Sequence, residues 1–448
     1  MRTDPLTGPD PQTGPEPLTG TRPPVAQHAK NPQPRPFRQI LTLVAVGVTV
    51  AVVAASGVAA YAAFELSSTF SAHAVALEGQ TAPPDVGAIA GGVNLFLAGT
   101  DVCEPQYASL FGGRCKGQDA VGERNDVNLL VHISANPRRV TVISIPRDLV
   151  TSTPSCTRPD GSVAPATAAS MLNSTYGYGG LSCVVKTVSQ LTGLSIPYAA
   201  KITWGGVIQL TDVIGGVTVC VANGIDDPYT HLHLSPGNHT ISGLTALQFL
   251  RTRHGVGDGG DLGRISNQQQ YLSRLARKLM SQGTLSNPAV LLQLATAAVQ
   301  DITPSKSLTD PLTLVQIALA VKSVPFDQIV FVQYPTVADP ADPNRVVANE
   351  PAARALWAAL AANKQLELTG SASQGNGVVV EKGTGGGATG SAGASGSAAP
   401  SGGASASTGS SASPSPSASG SGSGAGVKLP SSIAGQTAAE NTCSNGNG

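Results

Sequence analysis

The sequence predicts an α/β domain, a central mixed sheet layered with helices, preceded by one transmembrane helix and flanked by two segments too poor in apolar residues to build a core. Three observations predict it. Short β-branched runs alternate with helical stretches between residues 90 and 368, residues 40–64 carry no charge, and both ends are rich in Pro, Gly, Ser or Ala. The chain has 448 residues, only 12% of them charged, and its 27 Lys+Arg balance 27 Asp+Glu. Zero net charge and the absence of a DNA-reading motif exclude a protein that binds nucleic acid through bulk basic charge.

Residues 1–39 are Pro-rich with a loose repeat at Thr7-Gly8-Pro9, Thr13-Gly14-Pro15 and Thr19-Gly20-Thr21, and are expected to be disordered. At ~1.5 Å rise per residue, a helix over 40–64 exceeds the ~30 Å hydrocarbon thickness. A cleaved signal peptide is the competing reading, since Ala72-His73-Ala74 fits a small-residue cleavage site, but the apolar core of such peptides runs only ~7–15 residues. Arg22, Lys30, Arg35 and Arg38 precede the apolar run, whereas Glu65 and Glu78 follow it with no Lys or Arg until Arg114. The N-terminus is therefore expected in the cytoplasm and everything beyond Phe64 outside the membrane.

A linker at 65–89 leads into the folded domain, residues 90–368. In chain order, 93–97, 127–133, 140–145, 199–203, 217–221 and 329–332 are mostly β-branched runs that suit buried strands. Helical stretches at 181–191 and 204–214 fill gaps between them, and 263–280 places Leu272, Leu275 and Leu279 at helical spacing. Stretches 288–299, 312–321 and 351–362 complete the helices. Residues 383–427 have a flexible-linker composition, so the fold is expected to end near 368 and 369–448 to form a flexible tail. All six cysteines, at 103, 115, 156, 183, 220 and 443, fall on the expected exterior, where disulfides persist. Cys103 and Cys115 bracket a short loop, and Cys156 and Cys183 a longer polar insert, so these are the favoured pairs. Free thiols are the alternative, the pairing of Cys220 and Cys443 stays open, and no spacing supports zinc.

The chemistry is signalled by residues that apolar patterning does not explain. Asp101 directly follows the run Asn94 to Thr100, and Arg124-Asn125-Asp126 directly precedes the next strand. Strand ends are where ligands sit in open α/β sheets, and two carboxylates that leave room for substrate oxygens suit Mg²⁺ held mainly by a phosphate. Arg147 and Asp148 emerge after a strand in Ile145-Pro146-Arg147-Asp148. The densest cluster is Arg251-Thr252-Arg253-His254, a Gly-rich turn, then Asp261-Leu262-Gly263-Arg264 and Gln268-Gln269. Asp261 suits an N-cap, and Arg264 and Gln268 at i, i+4 share one face beside the positive helix end, which makes an anion site. Arg251 and Arg253 point the same way if extended and add forked donors for phosphate oxygens. Turn-forming aspartates, a surface ion pair and a solvated basic face are the plainer alternatives.

These motifs, together with Leu172-Asn173, Tyr176-Gly177-Tyr178-Gly179-Gly180 and Gly215-Gly216-Val217-Thr218-Val219, stand in an order that resembles the LytR-CpsA-Psr family over roughly residues 90–282. The resemblance implies an extracytoplasmic Mg²⁺-dependent phosphotransferase, with Mn²⁺ as the alternative ion. Such an enzyme moves a glycopolymer from a polyprenyl-pyrophosphate carrier onto peptidoglycan, forming a phosphodiester. It assigns Asp101 and Asp126 to the metal and Arg124, Arg147, Arg251, Arg253 and Arg264, with Gln268 nearby, to pyrophosphate. Asp261 becomes the general base, acting with Arg147 and Arg253 as the catalytic set. Two positions depart from the family pattern: Met171 replaces a Lys, and Cys103 stands where Arg is common. The apolar helices at 289–299 and 312–321 offer a tunnel for the carrier lipid, with core packing as the alternative. A pyrophosphatase using water as acceptor and a non-enzymatic envelope regulator are the rival functions.

Overall fold

Seven strands build the central sheet of the computed structural model, which describes residues 64–65, 67–80, 92–116, 122–281, 288–381 and 426–448. The expected disordered segment 1–39 and the span 40–64, apart from its last residue, lie outside the described residues, as does 382–425. Among the described residues no helix is long and apolar enough to cross a membrane.

Five of the six β-branched runs fall in this sheet: β1 (Val93–Thr100), β2 (Asn125–Ile133), β3 (Val140–Ser144), β4 (Tyr198–Ile202) and β8 (Ile329–Gln333). Two further strands, β7 (Ile302–Pro304) and β10 (Gly435–Thr437), close the edges in the order β7-β4-β1-β2-β3-β8-β10. The pairs β1 with β4 and β3 with β8 are parallel and the others antiparallel, so the sheet is mixed as expected. Helices cover both faces. On one, α1 (Tyr176–Thr192) and α7 (Glu350–Ala361) bury Val184, Val188 and Leu356 against Phe96, Leu130 and Ile143. The regular part of α1 starts at Leu181, because Gly180 takes a φ of +64° that side chains disfavour. On the other face, Leu272 of α4 (Asp261–Ser281) and Ile317 and Val321 of α6 (Pro311–Lys322) pack on Leu129, Val142 and Phe331.

The sixth run, 217–221, joins a second sheet instead. There β5 (Val217–Val221) lies between β6 (Gly237–Ile241) and β11 (Thr442–Ser444), with β9 (Val378–Val380) beyond, under Phe249 of α3 (Gly243–Arg251) and Tyr271 of α4. Two helices, α2 (Trp204–Val213) and α5 (Pro288–Asp301), complete the set.

The fold does not end near residue 368. Strands β9, β10 and β11 all lie beyond it, and Leu429, Ile433, Ala438 and Cys443 are buried. Low-complexity composition describes 383–425, but the segments on either side of that stretch carry apolar residues that the two sheets absorb. The bridges Cys103–Cys115 and Cys156–Cys183 are both present, and Cys220–Cys443 links β5 to β11.

Candidate active site

Two strand ends and the start of one helix converge. Asp126 is the second residue of β2, Arg147 and Asp148 follow β3, and Asp261 and Arg264 occupy the first turn of α4. Arg147 Nη1 lies 2.8 Å from Asp126 Oδ1, and its Nε lies 3.5 Å from Asp148 Oδ1 and 3.6 Å from Asp261 Oδ1. Arg264 Nη2 is 2.6 Å from Asp261 Oδ1 and donates to the Asp126 carbonyl at 2.9 Å. Arg253 Nη2 stands 4.0 Å from Asp148 Oδ2. The Nε groups of Arg147, Arg253 and Arg264 are buried without a hydrogen-bond partner.

Burial works against the charge on Arg147, but Asp126, Asp261 and Asp148 outweigh it and hold its pKa above the ordinary value. Arg264 is the reverse case: complete burial outweighs Asp261 and lowers its pKa. Asp148 is pushed up by burial and by the charge on Asp261, against the pull of Arg147 and Arg253.

The cluster closes one end of a cavity of about 450 Å³. Leu97, Leu129, Val207, Leu247, Leu250, Leu272 and Leu275 form its apolar wall, while Asp126, Arg147, Arg251, Arg253, Arg264 and Gln268 supply polar lining. Helices α2, α3 and α4 and the sheet thus build the chamber. Among the described side chains of 289–299 and 312–321 none lines the cavity, and Ala297, Ile317 and Val321 are spent on core contacts.

Most site residues expected from sequence are brought together, though several stand differently. Asp261 is not an N-cap; neither of its oxygens accepts a backbone hydrogen bond, because Arg264 and Arg147 compete for the carboxylate. Arg251 and Arg253 are not in an extended run. Arg251 ends α3, and Thr252 leaves the helix at φ −58°, ψ 132°, which still delivers both side chains to the cavity. Gln268 lines the cavity, but its Nε2 donates to Leu250 O at 2.8 Å. Arg124 is exposed and Asp101 buried, and neither lines the cavity wall; Asp101 Oδ1 accepts the Arg124 backbone N–H at 2.8 Å.

Sequence reasoning missed Trp204 and Phe111. The Arg251 guanidinium lies 3.9 Å from the Trp204 ring centroid and 5.6 Å from that of Phe111, a cation–π stack inside the Cys103–Cys115 loop region. Glu104 ties that loop to α2 by accepting the Gly205 N–H at 2.7 Å and the Thr203 hydroxyl at 2.8 Å. A tryptophan is rare in this chain, which has 2, but Trp204 and Arg251 are far apart in sequence, so no local pattern pairs them.

Asp101 and Asp126 sit at neighbouring strand ends, each one residue beyond the paired Thr100 and Asn125, and the buried Thr100 hydroxyl has no hydrogen-bond partner among the described residues. This is a set of hard oxygen donors, the kind Mg²⁺ accepts, and it contains no soft ligand.

The α/β domain thus holds an apolar chamber that ends in guanidinium and carboxylate groups. The chain belongs to the LytR_cpsA_psr family, whose family model matches residues 60–362. It is 28% identical over 290 residues to the cell wall biosynthesis protein LcpA of Corynebacterium glutamicum, covering 59% of this chain and 54% of that protein. It is 27% identical over 184 residues to the polyisoprenyl-teichoic acid–peptidoglycan teichoic acid transferase TagU of Bacillus mycoides, covering 41% of this chain and 56% of TagU. The chain therefore spans about half the length of these relatives. Among solved structures, the LytR-Csp2A-Psr enzyme from Actinomyces oris is similar at 23% identity and a TM-score of 0.46, covering 64% of this chain and 93% of that one.

Proposed function

We propose that this chain is a membrane-anchored, extracytoplasmic phosphotransferase that moves a glycopolymer from a polyprenyl-pyrophosphate carrier onto peptidoglycan. One observation carries the reading: the cavity pairs an apolar wall with an arginine-rich mouth, matching a molecule that is hydrocarbon at one end and pyrophosphate at the other. Transfer of a phosphoryl group needs charge neutralisation and in-line placement more than covalent help. Arg147, Arg253 and Arg264 supply forked donors for phosphate oxygens, and Arg251, stacked on Trp204, supplies another at the chamber side.

Three aspartates already face three of these arginines, so an incoming pyrophosphate brings negative charge that the cluster balances only in part. Asp101 and Asp126, with Thr100, would hold Mg²⁺, which supplies the remaining neutralisation when bound. The acceptor hydroxyl oxygen forms a bond to the phosphorus bearing the glycopolymer. The bond from that phosphorus to the bridging oxygen breaks, and polyprenyl phosphate leaves. Asp261 or Asp148 takes the hydroxyl proton; Asp148 is suited to it because burial and Asp261 raise its affinity for a proton.

The test uses the full chain in detergent with a defined polyprenyl-pyrophosphate glycan and Mg²⁺, with and without peptidoglycan fragments. A new phosphodiester on the fragment is the expected product. Release of phosphate alone makes the chain a hydrolase, and an untouched lipid leaves the regulator reading. Filling the chamber with Val207→Trp should weaken a long-chain lipid pyrophosphate about tenfold and leave inorganic pyrophosphate binding unchanged. The topology is checked on wall-stripped cells, where external protease should cut beyond Phe64.

A further inference from the structure

A carboxylate outside the arginine cluster is spent on that cluster's geometry. Asp227 is fully buried at the end of the short strand Ile225–Asp227 and lines the cavity. Its Oδ2 accepts the Thr252 hydroxyl at 2.6 Å and the Arg253 backbone N–H at 3.2 Å, while Oδ1 accepts the backbone N–H groups of Tyr229 at 2.9 Å and Thr230 at 3.4 Å. These four donors are neutral. Burial of the carboxylate opposes its charge, yet the hydrogen bonds outweigh burial and keep it readily ionised. The two residues it grips on the far side, Thr252 and Arg253, form the turn after Arg251 that sends both guanidiniums into the cavity.

A second clasp stands beside the first, on Asp226, which precedes Asp227, and on His254, which follows Arg253. Asn447 Oδ1 accepts the Asp226 N–H at 3.0 Å, and its Nδ2 donates to the carbonyls of Asp226 at 2.9 Å and His254 at 3.1 Å. The neighbouring C-terminal backbone continues the contact: Gly257 N–H donates to Asn445 O, and Asp258 N–H to Gly375 O, both at 2.9 Å. Gly257, at φ +56°, must be glycine there, since a Cβ would lie 2.0 Å from Gly375 O.

We propose that Asp227 and Asn447 are positioning residues that fix the 251–254 turn and so aim Arg251 and Arg253 at the phosphate-binding end of the cavity. The segment beyond residue 426 is thereby a working part of the site. The inference rests on the pyrophosphate reading only for its choice of probe. Asp227→Asn replaces an acceptor by a donor facing an N–H or hydroxyl, which loosens the turn.

The experiment compares the full-length wild type, Asp227→Asn, Arg253→Ala and the double variant. It measures affinity for inorganic pyrophosphate with Mg²⁺ by calorimetry, and amide exchange over 252–257. Asp227→Asn should weaken pyrophosphate about tenfold when Arg253 is present and by no more than about twofold when it is absent, with faster exchange across the turn. Asn447→Ala, an exposed change that guards against simple unfolding, should move both readouts the same way at an unaltered unfolding temperature. Equal weakening in both backgrounds, or unchanged exchange, overturns the proposal. A wild type that binds no pyrophosphate, with exchange quickened in Asp227→Asn, overturns the phosphate reading and leaves the positioning standing.

Discussion

At the first turn of α4, Arg264 meets Asp261 through its side chain and Asp126 through its carbonyl, with Asp148 close by on Arg147, and all but Asp148 line or adjoin the cavity. About 15 Å further along the same helix, Arg274 and Arg277 reach in the other direction. Arg274 donates to Thr442 O at 3.1 Å, and Arg277 to Asn441 Oδ1 at 2.6 Å and Glu440 O at 3.4 Å, so both hold the returning C-terminal segment. A buried Nε without a hydrogen-bond partner occurs at both ends and therefore does not separate them. What separates them is the company: three carboxylates and a cavity at one end, and at the other a single carboxylate, Glu381 at 3.8 Å from Arg274, beside amide and backbone oxygens of the returning segment. An arginine is read as functional from what its charge faces, not from its burial.

Paired substitutions sharpen that contrast. Arg264→Ala should lower turnover on the order of 10² to 10³, as loss of one preorganised donor does, and destabilise by about 3–5 kcal/mol, because Asp261 is left buried with its closest partner gone. Arg274→Ala should destabilise by about 1–3 kcal/mol, with turnover per folded molecule within about twofold of wild type. Turnover and urea unfolding on both variants decide it. Similar losses of turnover would erase the distinction between the two ends.

The strands were legible because a strand buried on both faces reads as a near-continuous apolar and β-branched run, as Val140 to Ile143 does. Asp126 and Arg147 were legible because charge next to such a run has no packing role, and Asp261 and Arg264 because they open a helix after a Gly-rich turn that follows two arginines. The cavity wall was not: Leu97, Leu247 and Leu272 look like any core leucine until α2, α3 and α4 fail to fill the space between them. Helix α3 was hidden by its glycine start, Gly243 at φ +54°, and by an Arg-x-Arg pattern that suggested an extended run. The C-terminal strands were hidden by distance, since pairings across the linker composition of 383–425 leave no local pattern.

The two bridges nearest these features extend the comparison. Cys220–Cys443 spans 223 residues and pins the segment that Arg274 and Arg277 hold, whereas Cys103–Cys115 spans 12 and steadies the loop that carries Phe111 against Arg251. Replacing Cys220 and Cys443 together by Ser should cost about 2–5 kcal/mol of stability, against about 2–3 kcal/mol for Cys103 and Cys115. Thermal unfolding measures both. A larger loss at the short loop would show that the C-terminal strands hold without their bridge.

The smallest expected effect tests the arginine end of α4 from its acidic side. Asp148 has its pKa raised in the folded chain, by burial first and by Asp261 second. A raised carboxylate pKa means that the folded state binds this proton more tightly than the unfolded state does. The group thus weakens the fold above its folded pKa, and the penalty fades as pH falls through that pKa and is gone below the unfolded value of ~3.9. Asp148→Asn should therefore raise the unfolding temperature slightly at pH 7, and the gap from wild type should close on acidification. The same change should reduce turnover, because it removes a carboxylate placed to take the acceptor proton, and gain of stability with loss of activity is what a strained functional group predicts. Unfolding temperature against pH, with turnover at pH 7, is the measurement. A variant less stable at neutral pH, or a gap that widens on acidification, would show that Arg147 and Arg253 hold Asp148 as an ordinary ion-pair partner and that its burial has no functional purpose.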